Sequence, residues 1–129
     1  MKRLLLTTTL VCIATPAIAL SLICKPSTTT FCAAVACEEA GDPFPIAVGA
    51  RLEEHEYFRC DVAPNGDFTN CDVFSAAIDW SGRDIVNVSA NRGSMLKLLR
   101  ANGQWGFLEV VSDNVKVWIH FGACQSLEN

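Results

Sequence analysis

From Glu56 onward the chain is divided by turn sequences at short, regular intervals. "PNGD", "SGRD", "NRG", "NG" and "SDN" separate runs in which apolar and polar residues alternate. Period-2 runs joined by Asn-Gly and Gly-containing turns specify antiparallel hairpins and leave little room for anything else. The expected strands are 56–62, 70–80, 84–89, 94–100, 105–111 and 115–121. Neighbouring hairpins of this length form an all-β antiparallel meander, closed as a small barrel or packed as a sandwich.

The cysteines restrict the fold further. "MKRLLLTTTLVCIATPAIA" has a basic start, an apolar core and an Ala-x-Ala ending, so residues 1–19 read as a secretory signal peptide that would carry Cys12 away. Its apolar core is too short to span a bilayer, and no transmembrane segment is expected after cleavage. Ile23 precedes Cys24, which argues against a lipid anchor there. Cys24, Cys32, Cys37, Cys60, Cys71 and Cys124 remain. An even number in a small exported chain, without a Cys-x-x-Cys pair, predicts three disulfides rather than a metal or redox centre. Periplasm or secretion is the expected destination.

Residues 20–55 are expected to form a disulfide-tethered N-terminal segment, 56–124 the β domain and 125–129 a tail. Within the first segment, Thr30 as N-cap, the helix formers of 31–40 and Gly41 predict one short helix. In such a helix Cys32 and Cys37 point to different faces and cannot bridge each other. "IAVGARLEEHEY" reads either as the start of a strand or as an acidic surface turn. A four-residue "PNGD" loop would set Cys60 against Cys71 for a cross-strand bridge; a type I turn with a bulge would slip the register and separate them. With the bridge preferred, Cys124 must reach back to the N-terminal cysteines.

The formal charge of −4 becomes −6 once Lys2 and Arg3 leave with the leader, and there is no basic run. Such a surface repels phosphates, so nucleic acid is not an expected partner.

Asn102-Gly103 is a strong hairpin turn, pairing Arg100 with Trp105, Leu98 with Phe107 and Leu96 with Glu109. A two-residue turn at Asp113-Asn114 would then pair Glu109 with Trp118 and Phe107 with His120. One face of this three-stranded unit carries Met95, Leu99, Leu108, Val110, Val117, Ile119 and Phe121, with only Lys97 interrupting, and reads as the core face. The other carries Leu96, Leu98, Arg100, Trp105, Phe107, Glu109, Lys116, Trp118 and His120, of which Arg100, Trp105, Phe107, Glu109, Trp118 and His120 are the expected partner-binding residues. Aromatics among charges of both signs suit a partner-binding surface. The competing reading is that the N-terminal segment covers this face.

Catalytic patterns are sparse. His55 in "RLEEHEYFRC" lacks the His-Glu-x-x-His arrangement, and Gly-x-Ser-x-Gly is absent, so no catalytic, metal or cofactor residue is assigned. Asp61, Asp67, Asp72, Asp79 and Asp84 are turn-flanking carboxylates that a glycan-acting enzyme would draw on.

"YFRCD", the following "CD", "SGRDIVNV", "RGSMLKLL" and "VWIHFGAC" resemble a family of small exported, cysteine-containing all-β proteins of unknown function from alphaproteobacteria. That resemblance implies a fold and no activity. "IVNVSANRGS" and "QWGFLEVVSDNVKVWIH" are similar to segments of bacterial SH3-like cell-envelope modules, with Ser89 where those carry arginine and Val117 where they carry glycine. This similarity implies peptidoglycan or peptide binding through Trp105 and Trp118. The expected function is a non-enzymatic binding module whose partner is an envelope or extracellular protein or a cell-wall component. The alternatives are an inhibitor of a secreted hydrolase, with "APNGDFTN" and "DWSGRD" as its contact edge, or a small glycan-acting enzyme.

Overall fold

A computed structural model describes residues 20–41, 44–90, 93–112 and 115–127. The proposed signal peptide lies outside them. The described chain forms nine strands: β1 (Ser21–Ala33), β2 (Ala36–Glu39), β3 (Ile46–Arg51), β4 (Glu56–Val62), β5 (Phe68–Trp80), β6 (Ile85–Ala90), β7 (Ser94–Ala101), β8 (Gln104–Ser112) and β9 (Lys116–Ser126). β3 to β9 follow one another as an antiparallel meander. The first half of β1 pairs with β3, and the whole strand also pairs with β9, closing an eight-stranded barrel. Closure removes the two free edges that an open meander would present. β2 folds back on the far half of β1.

The six expected strands are all present, most extended by a residue or more at one end. The ambiguous tract resolves into both of its readings: β3 occupies 46–51, and the turn to β4 follows at 52–55.

The helix expected at 31–40 does not form. Those residues make the β1–β2 hairpin, and Cys32 and Cys37 stand opposite each other and are bridged, contrary to the expectation. Two residues turn the chain, with Ala34 at φ 53°. No Gly, Asn or Asp announces this turn. The long pairing of β1 with β9, together with the disulfide, overrides the local helix propensity of "AAVACEEA".

The other two bridges follow the preferred reading: Cys60 joins Cys71, and Cys124 joins Cys24. The first hairpin combines its two alternatives. Gly66 N–H donates to Ala63 O, closing a tight turn, and next to the loop Val62 faces Phe68. Asn70 then takes φ 51° as a bulge, which moves the register by one residue so that Arg59 faces Asp72 and the cysteines meet.

Most of the core lies within the barrel. Leu22, Val48, Ala50, Val86, Val88, Leu96, Leu98 and Phe107 fill its middle, and Leu52, Trp105 and Cys24–Cys124 pack at one end. Gly122 makes room for the Phe107 ring and for the β1 irregularity between Pro26 and Thr28, since a Cβ there would strike the Lys25 carbonyl. A smaller cluster of Ile23, Ala47, Phe58 and Cys60 sits on the outer side of β1, β3 and β4, flanked by Phe68 and Leu127.

Candidate functional site

The β7–β8 register is as expected: Arg100 opposite Trp105, Leu98 opposite Phe107, Leu96 opposite Glu109. The next turn is longer than the expected two residues, and Glu109 faces His120 rather than Trp118. A shift of two residues keeps every side chain on its original side. Trp105 and Trp118 therefore share a face, but that face is the inside of the barrel.

The exposures assigned to the two faces are thus exchanged. Phe107, Glu109 and His120 are buried, Trp105 and Trp118 are half-buried at opposite ends, and only Arg100 is exposed. The supposed core face looks outward, with Met95 56%, Phe121 41%, Leu99 39% and Leu108 38% exposed. The N-terminal segment does cover this face, as the competing reading had it, but as strands rather than a helix: β1 and β3 are staves of the barrel, and Phe31 and Phe44 pack on Trp118. Arg100 pairs with Asp84 (Nε to Oδ1, 2.9 Å) and lies over the Trp105 ring at 5.4 Å, at the filled end. Trp80 packs edge-on against Trp105 there.

The end holding Trp118 is different. β4 directs Tyr57 and Arg59 inward, because Phe58 and Cys60, which alternate with them, belong to the outer cluster. Glu109 of β8 lies deep inside and is fully buried. Tyr57 Oη donates to its Oε2 at 2.5 Å and Arg59 Nη1 to its Oε1 at 2.9 Å. Arg59 Nη1 also reaches Tyr57 Oη at 3.3 Å. His120 Nε2 lies 4.0 Å from Glu109 Oε1, while its Nδ1 shares a 2.8 Å hydrogen bond with Thr29 Oγ1. Among the described residues, no buried side-chain polar atom lacks a partner.

Burial, with Arg59 adding to it, lowers the His120 pKa to about 4, so the ring is neutral at ordinary pH. Burial and the adjacent Glu109 push the Tyr57 hydroxyl well above its usual range. Burial alone would lower Arg59, but Glu109 and Tyr57 hold it above its ordinary value. Arg59 is thus a permanent cation, and Tyr57 and His120 are neutral hydrogen-bonding groups.

Above this network the barrel opens into a cavity of about 360 Å³, lined by Phe44, Tyr57, Arg59, Phe74, Ser94, Val111, Trp118 and His120. Trp118 is held between Phe31 (5.3 Å) and Phe44 (5.1 Å, edge-on), and Phe44 also meets the His120 ring at 5.7 Å. Tyr57 stacks on Phe74. The volume lies at the lower end of the range for small-ligand pockets, and apolar walls around a few fixed polar groups are their usual lining.

Of the residues expected to bind a partner, Trp118 and His120 line this mouth and Glu109 lies beneath it. Phe107 lies in the packed middle, and Arg100 and Trp105 at the other end. Sequence reasoning missed Phe44, Tyr57, Arg59, Phe74, Ser94 and Val111. The available signal was "EYFRC", where Tyr57 and Arg59 share one face of a strand whose other face carries Phe58 and Cys60.

The Thr29–His120–Glu109 line superficially resembles a nucleophile–base–acid relay. Thr29 is only 1% exposed, and the histidine–glutamate separation is too long for a hydrogen bond, so the three groups do not form a hydrogen-bonded relay. None of the turn carboxylates is among the described residues lining the mouth, although Asp72 stands opposite Arg59 on β5. Asp61 accepts from Asn70, Asp67 from Asn65, and Asp84 from Arg100. His55 is exposed in the β3–β4 turn. No group of three or more potential metal ligands occurs among the described residues. Comparison with known protein families, curated proteins and solved structures finds no match to this chain.

Proposed function

We propose that the protein is an exported, non-enzymatic binding module that takes a small ligand into the open end of its barrel. The observation that carries this reading is the roughly 360 Å³ mouth, where aromatic walls meet a fixed Arg59–Tyr57–Glu109 network. Eight-stranded barrels are wide enough to be filled by side chains or to hold one small ligand. In this protein one half is filled and the other is open. Three disulfides fit an oxidising, extracytoplasmic setting, where a preformed site keeps its shape without a partner.

Titration with the uncharged fluorophore N-phenyl-1-naphthylamine tests the site. One molecule per chain should bind, and Ser94→Trp, which fills the mouth, should weaken it about tenfold or more. Leu108→Ser/Phe121→Ser, on the outer face, should leave binding as it is. Loss of binding in the outer-face variant alone would move the site there.

A second reading is favoured by that outer face itself. Met95, Leu99, Leu108 and Phe121 form an exposed apolar area on adjoining strands, of the kind that meets another protein. An envelope or extracellular protein partner, including a secreted hydrolase, would dock there.

A further inference from the structure

We infer that the ligand of the mouth is a small, flat organic anion: an aromatic or unsaturated skeleton bearing a carboxylate or sulfonate. This rests on the reading of the mouth as a binding site and adds the charge and shape of what it takes.

Among the described lining residues Arg59 is the only charged group, because His120 is kept neutral. Its protein hydrogen bonds all leave from Nη1, to Tyr57 and Glu109; among the described residues, Nε and Nη2 make none. A guanidinium presents five donors in a rigid fork that matches a carboxylate or sulfonate edge, so the arginine is held on one side and offers its donors on the other. Glu109 does not compete with an anion for that position. It lies fully buried beneath the mouth, with one oxygen taken by Arg59 and the other by Tyr57.

Lys116 Nζ lies 6.0 Å from the Trp118 ring and 5.8 Å from Phe31, so its charge is engaged with the aromatic rim and the anion assignment stands on Arg59 alone. Asp72, the register partner of Arg59 on β5, shares its face and is the one carboxylate beside it that works against an anion. It is exposed to solvent and makes no ion pair with Arg59, which leaves the guanidinium donors to a ligand. In a chain of formal charge −4 most of the surface repels anions, so what draws one to the mouth is the directed donors of Arg59 rather than a net positive field. Phe44, Phe74 and Trp118 supply faces and edges against which a flat skeleton packs at low entropic cost.

Two probes with one skeleton separate the charge from the cavity. N-phenyl-1-naphthylamine is uncharged, and 8-anilinonaphthalene-1-sulfonate is its anionic counterpart. On the oxidised full chain the sulfonate should bind about tenfold more tightly or better, the scale of a hydrogen bond to a charged group. Raising salt should reduce that advantage in the wild type, a readout that needs no variant. In Arg59→Met/Glu109→Gln, which removes both charges together and strands neither, the ratio of the two affinities should fall to near one. Arg59→Lys, which keeps the charge and loses the fork, should leave an intermediate ratio. Equal affinities in the wild type, or an advantage that survives the double substitution, would overturn the anion assignment and leave the mouth intact as a site. Failure of both probes to bind, or binding indifferent to Ser94→Trp, would overturn the mouth reading as well.

Discussion

The two halves of the barrel interior solve opposite problems with the same strands. Around Leu22, Val86, Leu96, Leu98 and Phe107 the interior is filled by side chains that need nothing but one another. A few residues further along β4, β8 and β9, the positions inside the wall carry Tyr57, Arg59, Glu109 and His120 around a space left open. Apolar packing is tolerant of partners, since any hydrophobe of suitable volume serves. A buried carboxylate is not: each of its oxygens must be met. The filled half therefore supplies stability, and the open half supplies a fixed arrangement of donors at some energetic cost.

Substitutions at the two ends should bring out that division. The largest effect is expected at the filled end, where Cys24–Cys124 closes a span of 100 residues: Cys24→Ala/Cys124→Ala should cost about 4–5 kcal/mol in urea unfolding. Removing Cys32–Cys37 near the mouth, five residues apart, should cost only about 2 kcal/mol. Phe107→Ala comes next, at about 3–5 kcal/mol by the same measurement, with the mouth's probe affinity retained.

Glu109→Ala sharpens the comparison from the other side. It leaves Arg59 and the Tyr57 hydroxyl without their acceptor and should cost about 3 kcal/mol, the low end for a broken buried pair because Arg59 is partly exposed. Arg59→Met/Glu109→Gln should recover most of that loss. If the double variant is no more stable than Glu109→Ala, the pair is not the energetic unit described above.

Acid should act on the open half. The folded His120 titrates near 4, whereas an unfolded histidine titrates near 6.5. As pH falls through that interval the unfolded chain takes up a proton that the folded ring refuses. This contribution is present in full above about pH 6.5, is lost progressively down to about pH 4, and is constant below. It is worth at most about 3 kcal/mol. His120→Gln should flatten this part of the stability–pH curve relative to wild type. The smallest effect is expected from Val111→Ala at the mouth wall, below about 1 kcal/mol, since the side chain borders open space.

Much of the sheet was legible locally. Turn chemistry and alternation placed β4 to β9, and the Asn102-Gly103 turn gave the β7–β8 register residue for residue. The sides were not legible. Alternation states which residues share a face, and only distant contacts decide which face turns inward. Met95, Leu99, Leu108 and Phe121 make a more apolar row than the one containing Glu109, so local hydrophobicity pointed the wrong way. The inward row is stable because Arg59 and Tyr57 arrive from β4, about fifty residues earlier in the chain, to complete Glu109. The β1–β2 hairpin was hidden for a similar reason. Its turn is made of Ala34 and Val35, and what holds it is a disulfide and a neighbouring strand rather than turn residues.

The bond between Cys24 and Cys124 has a mechanical consequence. These residues sit close to where the chain enters and leaves the barrel, and Leu127 N–H donates to Ser21 O beside them. A pull applied through the two termini would run from one cysteine to the other along covalent bonds, and the sheet between them would feel almost none of the force. Stretched in the oxidised state, the 100-residue span between the two cysteines should not lengthen; after reduction, the barrel should unravel.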